Sequence, residues 1–288
     1  MVKIEPYTKS QIPFRLSKTG EENQEACYIT IPLVKDSMQN ELLPAFKTVN
    51  PVKTQEKPKI KDLYETVVPN IDKVVKETGV SSKSITRMIK MEGIMLKEYQ
   101  DEAGIKTIGI GHNVSADPNY SSGKEITNEV ALDIFTKDLN KAQKSLDKIL
   151  GNQKLPQNKK EVLLDLVFNM GSEKFRKTEL LQLVKQKRFD EAAKGFYIIG
   201  AGNQVSPFLC RRRIENIHAF YGENPSIQAV NTMKKIYDKG VIAYDKKIRN
   251  AKNSFEKQKY EHKKIIFMNE AEGFMEESSA LYNANKKK

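Results

Sequence analysis

Three side chains in one short stretch of this sequence could do acid–base chemistry together. Glu92 stands where a helix-like segment ends. Asp101 follows nine residues later and Thr107 six after that, within MEGIMLKEYQDEAGIKTIGIGHNV. Between them helical spacing gives way to short extended runs, separated by Asp101-Glu102-Ala103-Gly104, the composition of a hairpin turn. Breaking a glycosidic bond needs such a set. One carboxyl hands a proton to the leaving oxygen, while a second, ionised carboxylate handles a water or the positive charge developing on the sugar. Glu92, at a helix end that the fold can bury, suits the first role; Asp101, in a turn nearer solvent, suits the second. Thr107 adds a neutral hydroxyl that can hold the water. Singly, these are an ordinary helix-end carboxylate, turn former and strand residue; only the three together speak for chemistry.

The spacing Glu-x8-Asp-x5-Thr, followed by Gly109-Ile110-Gly111-His112, closely resembles the phage-type lysozymes, the endolysin muramidases among the glycoside hydrolases. Further motifs continue the likeness in order: Ile126-Thr127-Asn128-Glu129-Val130-Ala131, Phe168-Asn169-Met170-Gly171, Thr178-Glu179-Leu180-Leu181, Phe189-Asp190-Glu191-Ala192-Ala193, and Arg211-Arg212-Arg213 with Glu215. The resemblance implies that Glu92 is the general acid and that Asp101 and Thr107 hold the attacking water. It implies inversion at the anomeric carbon, with the carboxyls roughly 6.5–9.5 Å apart. The substrate it implies is bacterial peptidoglycan, cut at the β-1,4 bond between N-acetylmuramic acid and N-acetylglucosamine. It also places Asn169 on the cleft, within reach of an acetamido group, and uses the arginines to tie the last helix to the body.

Gly109 and Gly111 alternate with apolar residues, which marks a bulge or a face where a sugar approaches the backbone. His112 is expected to be structural, paired with a carboxylate. No cofactor is implied and no metal is expected: His112, His218 and His262 are far apart, and none has ligand spacing beside it. Two other readings remain open. A lytic transglycosylase needs only the Glu, and a wall-binding or virion structural protein could use the fold as a scaffold. An intact triple speaks against both.

The 288 residues suffice for one large domain, or a medium one with appendages. Apolar residues make up 39% and charged residues 30%, and mean hydropathy is −0.59. That balance suggests a compact part joined to solvated helical parts. With two cysteines, Cys27 and Cys210, no disulfide framework is indicated; two free thiols are preferred over one bridge. The N-terminal stretch lacks the apolar core of a signal peptide, and no apolar run approaches transmembrane length. The chain is therefore expected to be made soluble in the cytoplasm of the host and to reach the wall by holin-type release or from a virion. The net charge of +12 attracts polyanions. Anionic wall polymer or lipopolysaccharide is favoured over nucleic acid, for which no motif is present.

Residues 1–62 read as an N-terminal extension, with a strand near Ala26–Val34 and a Pro- and Lys-rich linker over 50–62. Residues 63–222 read as an α+β lysozyme-like catalytic domain: a carboxylate-bearing hairpin on a mostly helical body. Helices are expected over 63–78, from Ser81 or Ser82 to Glu92, and over 127–150, 158–170, 178–187, 190–199 and 211–221. Residues 223–288 read as a basic helical tail, set apart from the chemistry and removable after Gly222. In it Tyr237, Val241, Tyr244, Ile248, Ala251 and Phe255 alternate spacings of four and three, the pattern of a short heptad seam or of an amphipathic helix packing back on the body.

Overall fold

The computed structural model describes residues 8–15, 26–33, 71–100, 104–116, 118–120, 123, 125–201 and 204–287. Asp101, the linker over 50–62 and the side chain of Cys27 lie outside the described residues. The chain forms two units, Met1–Pro69 and Asn70–Lys288. In the first, β1 (Thr8–Arg15) pairs antiparallel with β2 (Ala26–Leu33), from Thr8 opposite Leu33 to Arg15 opposite Ala26. The sequence expectation covered the second of these strands and not the first.

The second unit opens with α1 (residues 71–78) and α2 (Ser82–Glu92), which is short and sharply bounded. Ser81 caps its start, its hydroxyl accepting the Ser84 amide, and Gly93 at φ 74 ends it while its amide returns to the Ile89 carbonyl. Ile85, Met88 and Ile89 are buried, so α2 is pinned along one face and delivers Glu92 at its last position. The chain then enters a three-stranded antiparallel sheet, β3 (Met95–Gln100), β4 (Lys106–Gly109) and β5 (His112–Asn113), in that order.

Helices supply the rest of the body. α3 (Asn128–Leu150) runs from the Thr127 cap to Gly151 at φ 60. α4 (Gln157–Met170) stops at Gly171, φ 81. α5 (Ser172–Arg176) and the Thr178-capped α6 (Glu179–Lys185) follow. Where one helix was expected over 190–199, the chain makes α7 (Phe189–Ala192), a 3-10 turn (Ala193–Phe196) and a small hairpin, β6 (Gly200–Ala201) with β7 (Gln204–Val205). Gly195 accounts for the irregularity: a Cβ there would stand 2.6 Å from the Leu180 Cα, so only glycine lets this turn pack against α6. The last body helix, α8 (Pro207–Tyr221), starts four residues before the expected position. Ser206 caps it and Pro207 occupies its first turn.

The expected C-terminal helical tail is present, as two helices. α9 (Ile227–Arg249) and α10 (Ser254–Lys286) fold into a helical hairpin that belongs to the same unit as the body. The heptad seam does not run through, because the helix breaks over 250–253 and Phe255 is exposed. The buried stripe of α9 is instead Ala229, Met233, Ile236 and Gly240, facing Phe267 and Ala271 of α10 and the body. Tyr237 and Tyr244 lie 5.7 and 5.6 Å, ring centre to ring centre, from Phe267. Glu270 of α10 meets both Lys90 of α2, at 3.3 Å, and Arg211 of α8. Cutting after Gly222 would remove these contacts with α2 and α8. Gly240 tests the packing. A Cβ there would meet the Phe267 ring at 2.3 Å and the Cys210 Cβ at 3.1 Å. Gly240→Ala is expected to lower stability by about 1–3 kcal/mol in a denaturant melt; an unchanged midpoint would mean the hairpin is loosely seated.

Cys210 is a free thiol that burial pushes up to about 12. Among the described residues no helix is long and apolar enough to cross a membrane.

Candidate active site

α4 decides how the site is held. Residues from Glu161 to Val167 are all buried, so the helix is enclosed on nearly every side. Its polar residues at spacing four, Glu161, Asp165 and Asn169, form a ladder along one face inside the protein. Each rung has a partner. Glu161 receives the Ser81 amide, the Ser81 hydroxyl and the Ser84 hydroxyl, all at 2.7 Å, and so anchors the start of α2. Burial alone would raise the Glu161 carboxyl, but these hydrogen bonds outweigh it and hold the carboxyl below its ordinary range.

Asp165 serves the other end of α2 through Arg212 of α8. Both are fully buried. The guanidinium donates to Asp165 through Nη2 at 2.7 Å and Nε at 3.2 Å, and through Nη1 to Glu92 Oε1 at 2.5 Å. Asn216 adds a donor to Asp165 at 2.9 Å. Burial would push the Asp165 carboxyl up; the Arg212 charge reverses that and holds it far below the usual range. In turn Asp165 and Glu92, against burial, keep Arg212 firmly charged. One oxygen of Glu92 is thus fixed from within the core while the side chain stays 16% exposed, which orients its carboxylate and leaves part of it reachable.

The sheet closes on Glu92 from the other side. Gly111, at φ 71, lies so close that a Cβ there would stand 2.8 Å from Glu92 Oε2. Gly111→Ala would both strain the turn, by about 1–3 kcal/mol, and push the carboxylate away. Its catalytic rate is expected to fall further than its melting temperature explains; a wild-type rate would show that Glu92 tolerates the shift. Gly109 does not occupy such a place. It is buried, and a side chain there would point at Ala131 and Ile126, each 3.6 Å away.

Thr107 is buried in β4 opposite Tyr99 of β3. Its hydroxyl donates to the Ile105 carbonyl at 3.1 Å, so its oxygen keeps lone pairs for accepting a proton from another group. His112 pairs through Nδ1 with Asp138 of α3 at 2.6 Å and meets the Tyr120 ring edge-on, which fastens β5 to α3. Asn169 accepts from Arg213 Nη2 at 2.7 Å, so the amide oxygen is engaged and the NH2 is the end left for other partners. The three arginines therefore reach outward from α8, Arg211 to Glu270, Arg212 to Glu92 and Asp165, and Arg213 to Asn169.

Asp165 and Glu161 were not singled out from the sequence. The available signal is the spacing-four polar series Glu161, Asp165 and Asn169 within EVLLDLVFN, a stretch otherwise apolar.

Residues 89–216 match the family model described as Phage lysozyme. The chain is 35% identical over 138 residues to the endolysin of Salmonella phage P22, an alignment spanning 47% of this chain and 94% of the relative. It is 30% identical to an endolysin of Acyrthosiphon pisum secondary endosymbiont phage 1, over 41% of this chain and 77% of that protein. Among solved structures it is similar to a mutant of P22 lysozyme, at 34% identity and a TM-score of 0.41, covering 48% of this chain and 94% of that one. The matched span holds the end of α2 with Glu92, the three-stranded sheet, the α4 ladder and the arginine-bearing first part of α8, and on these relatives the chain belongs to the phage lysozyme family.

Proposed function

We propose that this protein is a peptidoglycan hydrolase of the endolysin type, a muramidase that cleaves the β-1,4 bond between N-acetylmuramic acid and N-acetylglucosamine. The observation that carries the reading is the Glu92 carboxylate, gripped on one oxygen by a fully buried guanidinium and flanked on the other by a glycine. A proton donor must be held at a defined angle to the glycosidic oxygen, and this arrangement holds it without enclosing it. In this proposal Glu92 protonates the leaving oxygen, and Asp101 and Thr107 hold the water that attacks from the opposite face, so the product is inverted. Thr107 fits that part because its own proton is committed to the Ile105 carbonyl. Asn169 offers its NH2 to a substrate carbonyl, with its orientation set by Arg213.

The catalytic part is proposed to lie within 63–222. Residues 1–62 precede it as an N-terminal extension and linker. The site of action is the bacterial wall, reached after holin-type release or from a virion.

Incubation with purified peptidoglycan tests the reading directly. New reducing ends, with masses one water above those of anhydro products, are expected. Anhydromuramyl ends would replace the hydrolase with a transglycosylase, and binding without release of either would make the protein a scaffold.

A further inference from the structure

The helical hairpin α9–α10 has two halves of different character. Near the body its residues pack inward. From residue 241 to residue 265 none is buried, although both helices continue through this span. At ~1.5 Å per helical residue, the span projects on the order of 15 Å beyond the last buried positions, Gly240 and Ile266.

Charge follows the same division. Residues 241–265 hold eight Lys or Arg against three Asp or Glu. In the remainder of 223–288, six basic residues face six acidic ones. The whole excess of the C-terminal segment therefore sits on the projecting half. It is densest around the turn, where residues 246–259 hold six basic side chains and one acidic. That acidic group, Glu256, is occupied: its carboxylate accepts the Lys252 amide at 2.8 Å and the Tyr260 hydroxyl at 3.3 Å. Lys246, Arg249, Lys252 and Lys257 are exposed.

Three large apolar side chains are exposed on the same projection: Ile242 at 58%, Phe255 at 53% and Ile265 at 54%. Phe255 stands at the tip, in the first turn of α10. A soluble polyanion would be attracted by the lysines alone and would gain nothing from an exposed phenyl ring. A lipid bilayer with acidic headgroups offers both phosphates for the cations and an acyl boundary for the ring.

We propose that the projecting half of the α9–α10 hairpin docks tip-first on an anionic lipid surface, with Lys246, Arg249 and Lys252 at the phosphates and Phe255 in the acyl boundary. The proposal rests on the placement of charge and apolar surface and is independent of the hydrolase reading. The site around Glu92 shares no residue with the tip.

Co-sedimentation of the full chain with vesicles tests it. Vesicles of phosphatidylcholine and phosphatidylglycerol at 3:1 are compared with pure phosphatidylcholine, and soluble polyphosphate serves as competitor. Binding to the acidic vesicles is expected, weakening as salt shortens the screening length. The triple variant Lys246→Glu, Arg249→Glu, Lys252→Glu is expected to weaken it by at least about 100-fold. Phe255→Ser should weaken vesicle binding by about tenfold and leave polyphosphate binding unchanged, while Ile227→Ser, exposed but outside the projection, should change neither. Equal binding to neutral and acidic vesicles would overturn the proposal. So would a Phe255→Ser variant that binds acidic vesicles like the wild type, since the partner would then be a polyanion. Should the triple variant fail to fold, the salt titration of the wild type decides: binding that persists undiminished at 0.5 M salt, on the order of a 4 Å screening length, excludes the electrostatic docking. Turnover on soluble wall fragments, measured in parallel, reports on the hydrolase reading separately.

Discussion

Glu92→Gln is expected to lower the release of reducing ends from peptidoglycan by about 10²–10⁴-fold, the range general acid catalysis contributes, with the fold intact. The glutamine carbonyl can still accept from Arg212 Nη1, and Asp165 remains as the buried counter-charge of that arginine. Shape and packing around α2 are thus preserved, and only the transferable proton is removed. The measurement pairs a reducing-sugar assay with a thermal melt. A large loss of rate beside a small change in melting temperature fits the assignment. A variant that cleaves at the wild-type rate would place the proton donor elsewhere, and one that melts early would show that Glu92 serves chiefly to neutralise Arg212.

Asp165→Asn reverses that pattern, with stability as the quantity that changes. It removes the bidentate counter-ion of a fully buried guanidinium, and breaking a buried pair from one side costs about 3–5 kcal/mol. Removing both charges, as Asp165→Asn with Arg212→Gln, is expected to cost less than the two single changes summed. The pH dependence carries a defined sign. In the folded chain the Asp165 carboxyl lies well below the unfolded reference of about 3.9, because the Arg212 charge overcomes the effect of burial. Its stabilisation is therefore fully present above that reference and is lost as pH falls from there toward the folded value. Glu161, also lowered, adds to the same acid limb. In urea melts between pH 6 and 2.5 the wild type should lose stability more steeply than Asp165→Asn. Parallel curves would mean that the acid limb comes from other carboxylates.

Much of the helical body is legible because its boundaries have local causes. Thr127 and Thr178 accept the amides of Val130 and Leu181 as helix caps. Gly93, Gly151 and Gly171 end helices at positive φ. These are decisions a few residues make among themselves. Glu92 is legible for the same reason, since the Ser81 cap and Gly93 together fix where its helix begins and ends.

Asp165 is not legible in this way, because a charged residue reads as a surface residue until its partner is known. That partner, Arg212, is 47 positions away. The break in the C-terminal seam is not legible because the apolar spacing continues through Ala251 and Phe255 while the backbone turns at Asn250 and Asn253. The start of α8 did have a local signal, Ser206-Pro207, overshadowed by the charge of the arginines that follow.

The pairing of Glu92 with Arg212 spans 120 residues, and this gives the site an order of assembly in time. A growing chain that has left the ribosome as far as α3 already contains Glu92, the sheet and Thr107, but no guanidinium to orient the acid. α4 supplies Asp165 next, and only α8 brings the arginine that joins them. Contacts this distant in sequence form late, because a long loop must close before they can be made. A chain that ends before α8 therefore carries Glu92 without Arg212, and under the proposed function the acid is oriented only once α8 has been made.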